Sequence, residues 1–349
     1  MLRSRARSIF LLEAAAALFV PLNRRPTKPS PELPPLRLVP LQFRIGVGSI
    51  ATSQVRNITT TISGSSSLIM ADNAEEVEQL TAVYDDHGGV IIELKAPMDP
   101  RAFICSLRAS ISNWRQQGVR GVWIKLPIEL ANLVQPAVEE GFWYHHAEPS
   151  YLMLVYWIPT TTHTIPVNAT HRVGVGAFVM NDKKEVLVVQ EKTGKLRGLG
   201  LWKFPTGVVD QGEDIFTGAI REVKEETGID TEFLEVLAFR QSHMSFFEKS
   251  DLFFVCMLRP LSFDIQKQES EIEAAQWMPI EEYAAQPFLQ KHELLKYIVD
   301  VSLAKVEKRY AGFSPVCISS AFSDGQSYIY LNSKDLNQSS RSGNVPDSS

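Results

Sequence analysis

Between residues 207 and 229 the chain reads GVVDQGEDIFTGAIREVKEETGI. Glu213 follows Gly207 by six positions, and Arg221, Glu222, Glu225 and Glu226 follow within the next thirteen. Ile215, Phe216, Ala219, Ile220 and Val223 recur at helical spacing and give one apolar face. Asp214 supplies an acidic start, and Gly228 a stop suited to the left-handed conformation past a last turn. The pattern predicts a helix over 214–227. On it Glu222, Glu225 and Glu226 stand at offsets of zero, three and four and share one face. Three like charges on one face repel, so the arrangement calls for a cation. Hard cations such as Mg2+ take oxygen ligands, keep several waters and usually join a few carboxylates to phosphate oxygens. Glu213, at the mouth of the preceding loop, can fold back to the same place. Arg221, four residues before Glu225, can hold a carboxylate in one rotamer. A Glu-rich helix without that loop would read as solvated surface.

The full pattern is Gly, five residues, Glu, seven residues, Arg-Glu, an aliphatic, any residue, Glu-Glu, any residue, Gly, an aliphatic. Position for position it resembles the signature of the Nudix hydrolases. The resemblance implies an α/β/α sandwich with a mixed sheet and cleavage of the diphosphate in a nucleoside diphosphate derivative. It implies Mg2+ or Mn2+ held by Glu222, Glu225 and Glu226, with Glu213 as a supporting carboxylate, Arg221 orienting them and Gly207 shaping the loop. A divalent ion neutralises diphosphate oxygens and lowers the pKa of water it binds, which makes hydroxide available near neutral pH. Within the motif Glu225 is the expected proton acceptor. Glu248 is a weaker candidate, since an exposed glutamate is the commoner state. One departure stands out: Thr206 occupies a position where many relatives carry a second glycine.

These residues need elements to hold them. The segments 173–180 and 185–190 read as a hairpin-like pair around Asn181-Asp182, 234–242 and 251–258 as further strands, and 281–310 as helices. Residues after about 331, rich in Ser, Asn and Asp, are expected to be disordered. Before the catalytic region, 72–160 reads as a small α/β module. It has strands at 90–94, 122–126 and 151–158 and helices at 100–117 and 130–140. It has no glycine-rich phosphate loop. His145-His146 reads as a loop pair, because no acidic or cysteine partner stands at ligand spacing. The expected domains are therefore 1–70 as leader, 72–160 as module, 168–312 as catalytic domain and 313–349 as extension.

Composition narrows the classes. With 349 residues, 44% hydrophobic and 21% charged, the chain is of ordinary globular make-up. A net charge of −5 speaks against a general nucleic-acid binder. Cys105, Cys256 and Cys317 are too scattered for a disulfide framework, which points to a reducing compartment. Residues 1–70 carry many arginines, serines and prolines but only Glu13 and Glu32 as acids, the character of a chloroplast or mitochondrial transit peptide. The apolar run 9–22 is broken by Glu13 and is too short for a membrane span, so no membrane role is expected; the cytoplasm is the alternative location.

The stretches 171–179 and 202–209 resemble a plant branch of the family with an extra N-terminal module, related to the animal antisense protein of basic fibroblast growth factor. In that branch the module resembles part of an acetyltransferase fold. The branch implies ADP-ribose and NADH as substrates, split to release AMP, and allows a homodimer. Alternatives are a nucleotide-sensing binding module, or an enzyme acting on coenzyme A, FAD or another nucleotide. Phe239, Phe246 and Phe247 offer rings that could stack on an adenine, but packing in a strand core is the expected role.

Overall fold

The computed structural model describes residues 78–194, 196–319, 326–333 and 336. The expected leader and the last residues of the extension lie outside them. The described chain forms two compact units that meet in sequence at Asn168 and Ala169.

The first unit is a five-stranded sheet in the order β1-β2-β3-β5-β4. Its strands are β1 (Ala82–Tyr84), β2 (Gly89–Glu93), β3 (Gly121–Pro127), β4 (Trp143–Glu148) and β5 (Tyr151–Trp157). Only β2 and β3 run parallel, joined by the crossover helix α1 (Pro100–Gln116). Pro100 opens that helix, and the Asp99 carboxylate accepts from the Arg101 and Ala102 N–H groups. Phe103, Leu107, Ile111 and Trp114 line its buried face, as the spacing requires. The segment expected as one helix over 130–140 is instead a 3-10 run (Ile128–Leu133) followed by the short α2 (Val134–Glu139). His145 and His146 lie on the strand β4, not in a loop. Their Nδ1 atoms face each other at 2.7 Å, and His146 Nε2 lies 3.3 Å from the Tyr151 hydroxyl.

The second unit is built on the mixed sheet β8-β6-β10-β9. β6 (His171–Val179) runs parallel to β10 (Ser250–Pro260) and antiparallel to β8 (Thr206–Val208), while β9 (Thr231–Ser242) pairs antiparallel with β10. β7 (Glu185–Glu191) does not extend a ladder with β6 as the hairpin-like reading implied. The two share one bridge, Met180 to Val186, and β7 pairs with β11 (Ile272–Pro279) instead. Apolar clusters cover both faces of the sheet. On one, the motif helix α3 (Ile215–Thr227) packs Ala219 and Val223 against Val175, Ala177 and Leu258. On the other, after the short α4 (Ile280–Ala284) and α5 (Pro287–Lys291), helix α6 (Glu293–Val306) packs Leu295 and Val299 against Phe178, Leu237 and Val255. This is an α/β/α sandwich. A closing hairpin, β12 (Ser314–Ser319) with β13 (Gln326–Leu331), was not foreseen; Phe313 ties it to Val236 of β9 through two backbone bonds. Among the described residues no helix is long and apolar enough to cross a membrane.

Candidate active site

The motif helix α3 follows the expected span, with Asp214 extended at its start and Gly228 at φ +75° at its end. A side chain at Gly228 would be strained and would also meet Gln266. Helical spacing puts Glu222 and Glu226 one turn apart on the buried side, and leaves Glu225 exposed.

Strand β8 receives that face. Ala177 N–H donates to Pro205 (2.8 Å) and Val209 N–H to Val173 (3.0 Å), so odd-numbered residues of β8 pair with β6. The backbone groups of Thr206 and Val208 therefore point away from β6. The Val208 carbonyl accepts from Arg221 Nη2 at 2.8 Å, and the Thr206 backbone favours the charged form of the Glu226 carboxylate. Gly207 lies between them. A Cβ there would overlap the Glu222 carboxylate, so glycine is required for contact with the acid. This is a steric demand of the site, and differs from the loop-shaping role expected.

Arg221 organises the carboxylates. Its Nε and Nη2 grip the two Glu213 oxygens at 2.8 and 2.9 Å, and Nη1 reaches Glu222 Oε1 at 2.7 Å and Glu225 Oε2 at 3.5 Å. The Glu213 pairing, reinforced by Glu222, holds the guanidinium even more firmly protonated than usual. Glu213 also accepts from the Asp210 N–H at 2.9 Å. Both its oxygens thus serve Arg221 and the loop, so Glu213 supports the arginine that holds Glu222 and Glu225.

Burial pushes the Glu226 carboxyl up to about 8, with the Glu222 and Glu191 charges adding to it; Lys203 and the Thr206 N–H pull the other way. Glu226 Oε2 is buried with no hydrogen-bond partner. An orphaned carboxylate oxygen beside a second buried carboxylate fits a divalent cation. Among the described residues no three or more Asp, Glu, His or Cys side chains are grouped so as to hold a metal ion, and the exposed Glu225 stands apart from the buried pair Glu222 and Glu226.

Sequence reasoning passed over Lys203. Its Nζ reaches Glu191 Oε1 at 2.9 Å and Thr206 Oγ1 at 2.7 Å inside the protein. Burial opposes its charge, but Glu226, Glu191 and Glu222 outweigh that and hold the ammonium protonated. A signal was present: one cation among Leu201, Trp202, Phe204 and Pro205 must be buried with a carboxylate. Lys203 and Thr206 form the polar end of an otherwise apolar cavity between the sheet and α6. A second cavity of about 210 Å³ shares Phe253, Val255 and Ile298 with it and is lined by Phe239, Arg240 and Tyr297. Phe239 is not in a strand core: it is 60% exposed and stacks on Phe254. Glu248 lies on the turn between β9 and β10, exposed, with φ +62°.

Likeness to known proteins follows the same residues. A Nudix hydrolase domain model matches 80–158, which is the N-terminal module, and a NUDIX domain model matches 170–298. Nudix hydrolase 2 of Arabidopsis thaliana is 61% identical over 257 residues, covering 74% of this chain and 92% of that protein. Mouse nucleoside diphosphate-linked moiety X motif 6 is 38% identical, covering 59% of this chain and 67% of that protein. A solved NUDIX hydrolase from Nitrosomonas europaea is 25% identical, with a TM-score of 0.33 over 38% of this chain and 89% of that one. The chain belongs to the Nudix hydrolase family. It is a pyrophosphohydrolase of that family, whose members act on nucleoside diphosphate derivatives.

Proposed function

We propose that the protein hydrolyses the diphosphate of ADP-ribose, NADH or both, releasing AMP, and depends on Mg2+ or Mn2+. The observation that carries this reading is the pair Glu222 and Glu226, buried together with Glu226 Oε2 lacking a partner. Glu222, Glu225 and Glu226 would hold the ion, which when bound would neutralise phosphate oxygens and raise the acidity of water. Arg221 keeps Glu222 and Glu225 in fixed rotamers, and Glu213 keeps Arg221 in place. Glu225, the exposed member, accepts the proton from the attacking water. One P–O bond forms to that water, the bridging P–O bond breaks, and the other phosphate leaves. The cavity of about 210 Å³ lined by Phe239, Arg240 and Tyr297 supports recognition of the group beyond the diphosphate. Phe239 and Tyr297 offer rings for stacking, and Arg240 offers donors. The resemblance to the plant branch supports ADP-ribose and NADH as the substrates.

The test is a panel of ADP-ribose, NADH, coenzyme A and FAD, each with Mg2+ or with chelator, and products separated by chromatography. ADP-ribose should give AMP and ribose 5-phosphate, and NADH should give AMP and reduced nicotinamide mononucleotide. The E225Q variant should lose most turnover and keep its fold. Undiminished turnover in chelator would reject the metal dependence. Preference for coenzyme A or FAD would reject the substrate.

A further inference from the structure

Lys203 is held from three directions. Its backbone exchanges two hydrogen bonds with Val189 of β7, at 2.9 and 3.0 Å. Its ammonium joins Glu191, the last residue of β7, to Thr206, the first of β8, and its side chain is only 9% exposed. Thr206 in turn has three outlets. Its hydroxyl meets Lys203, its backbone favours the charged form of Glu226, and its neighbour Gly207 lies against Glu222. Side chains of successive strand residues point to opposite faces. The hydroxyl of Thr206 and the open face of Gly207 thus act on opposite sides of one short strand. A displacement of Thr206 would move the backbone that favours the charge on Glu226 and the floor under Glu222 together.

Building on the metal-site reading above, we infer that Lys203 and Thr206 form one unit that positions Glu226 and Glu222 for the divalent ion. Lys203 is a positioning residue. It acts through the Thr206 hydroxyl, with Glu191 fixing the ammonium from the other side. Groups that orient metal ligands from the second layer typically change metal affinity about 10–100-fold when removed. A rival account makes Lys203 a plain positive charge near the ion. The two differ in sign. Removing a mere repelling charge tightens cation binding, whereas removing a support loosens it.

The experiment measures Mn2+ binding to the full chain without nucleotide, reading free Mn2+ by electron paramagnetic resonance. Lys203→Met and Thr206→Val should each weaken binding about tenfold. Thr206→Ser, which keeps the hydroxyl, should bind as the unaltered protein does. The Lys203→Met/Thr206→Val double variant should bind no more weakly than the weaker single variant, because both changes break one unit. Unchanged or tighter Mn2+ binding in Lys203→Met, or additive losses in the double variant, would overturn the inference. If Lys203→Met does not fold, the contrast of Thr206→Val with Thr206→Ser decides: equal affinities overturn it. Unaltered protein that binds no Mn2+ would overturn the metal-site reading and this inference with it. Unaltered protein that binds while every variant binds equally would overturn this inference alone.

Discussion

The two units solve the same architectural problem with different interiors. Among the described residues of the N-terminal module the buried polar ones are Ser106 and Ser110, and the rest of the core is apolar. Its ion pairs, Arg108 with Glu140 and Lys125 with Glu93, stand at the surface. The catalytic unit buries Lys203, Glu222, Glu226, Glu235 and Asp251. Taking an ion out of water costs several kcal/mol even when it is paired. Part of that cost is met structurally: Glu235 pairs with Lys305 and accepts from the Gly312 N–H at 2.6 Å, which ties the end of the helical region to β9. Around Glu226 it is not met, since one oxygen has no partner. Both units thus follow the same packing rules for apolar side chains, and the buried charge gathers in the catalytic unit, at the motif and on β9 and β10.

The sharpest way to break this comparison is to alter one fully buried residue in each unit. Leu154→Ala in β5 opens a cavity in an apolar core and should lower stability by about 2–5 kcal/mol. Glu226→Gln removes an ionisable carboxyl from a similarly buried place, and should leave the metal-free protein as stable or more stable. Its turnover should nevertheless fall at least about a hundredfold. Chemical denaturation and steady-state kinetics on both variants check this. A destabilised Glu226→Gln would place that carboxylate among the structural charges, beside Glu235. Gly207→Ala should come next in size. Its Cβ displaces the Glu222 carboxylate, and activity should drop about tenfold or more, with fold retained by circular dichroism.

The pH dependence sharpens the same contrast. In the folded protein Glu226 sits at about 8, against 4.5 as its ordinary value. A carboxyl raised in this way contributes stability that is complete below about 4.5 and is lost as pH rises through about 8. Metal-free protein should therefore lose on the order of a few kcal/mol across that window, and added Mg2+ should restore much of it. Thermal unfolding in chelator between pH 5 and 8 reads the slope. Glu226→Gln should flatten it, and equal slopes in both proteins would assign the effect to other groups.

The sequence disclosed the motif helix almost residue for residue, because capping, apolar period and acid spacing all act within one short segment. Helix α1 was legible for the same reason, through Pro100 and the row from Phe103 to Trp114. What escaped was set by partners distant in sequence. β7 pairs with β11 and not with β6, a choice made by residues about 90 positions on. Lys203 acquires its meaning only when Glu191 of β7 is brought against it in the fold. The steric demand on Gly207 depends on a helix face that reaches it in the fold. Glu213 could be read as an acid near the site, but its commitment to Arg221 depends on where the loop turns back.

The smallest expected effect concerns the closing hairpin, which lies beyond the matched NUDIX domain at 170–298. Tyr328 of β13 stands edge-on to Phe216 with ring centres 4.9 Å apart, and Phe216 also meets Phe233. Such aromatic pairs contribute about 0.5–1.5 kcal/mol beyond their burial. Tyr328→Ala should therefore lower the unfolding temperature by a few degrees. Phe216 lies in the first turn of α3, and Glu222 and Glu226 follow six and ten residues on, roughly 9 and 15 Å along the axis. Loosening at that turn should leave kcat within about threefold, because Arg221, Val208 and Gly207 fix the later turns independently. A tenfold loss of kcat with a small change in unfolding temperature would mean that the hairpin sets the pitch of the whole motif helix. The catalytic unit would then depend on its last strands as much as on the charges it buries.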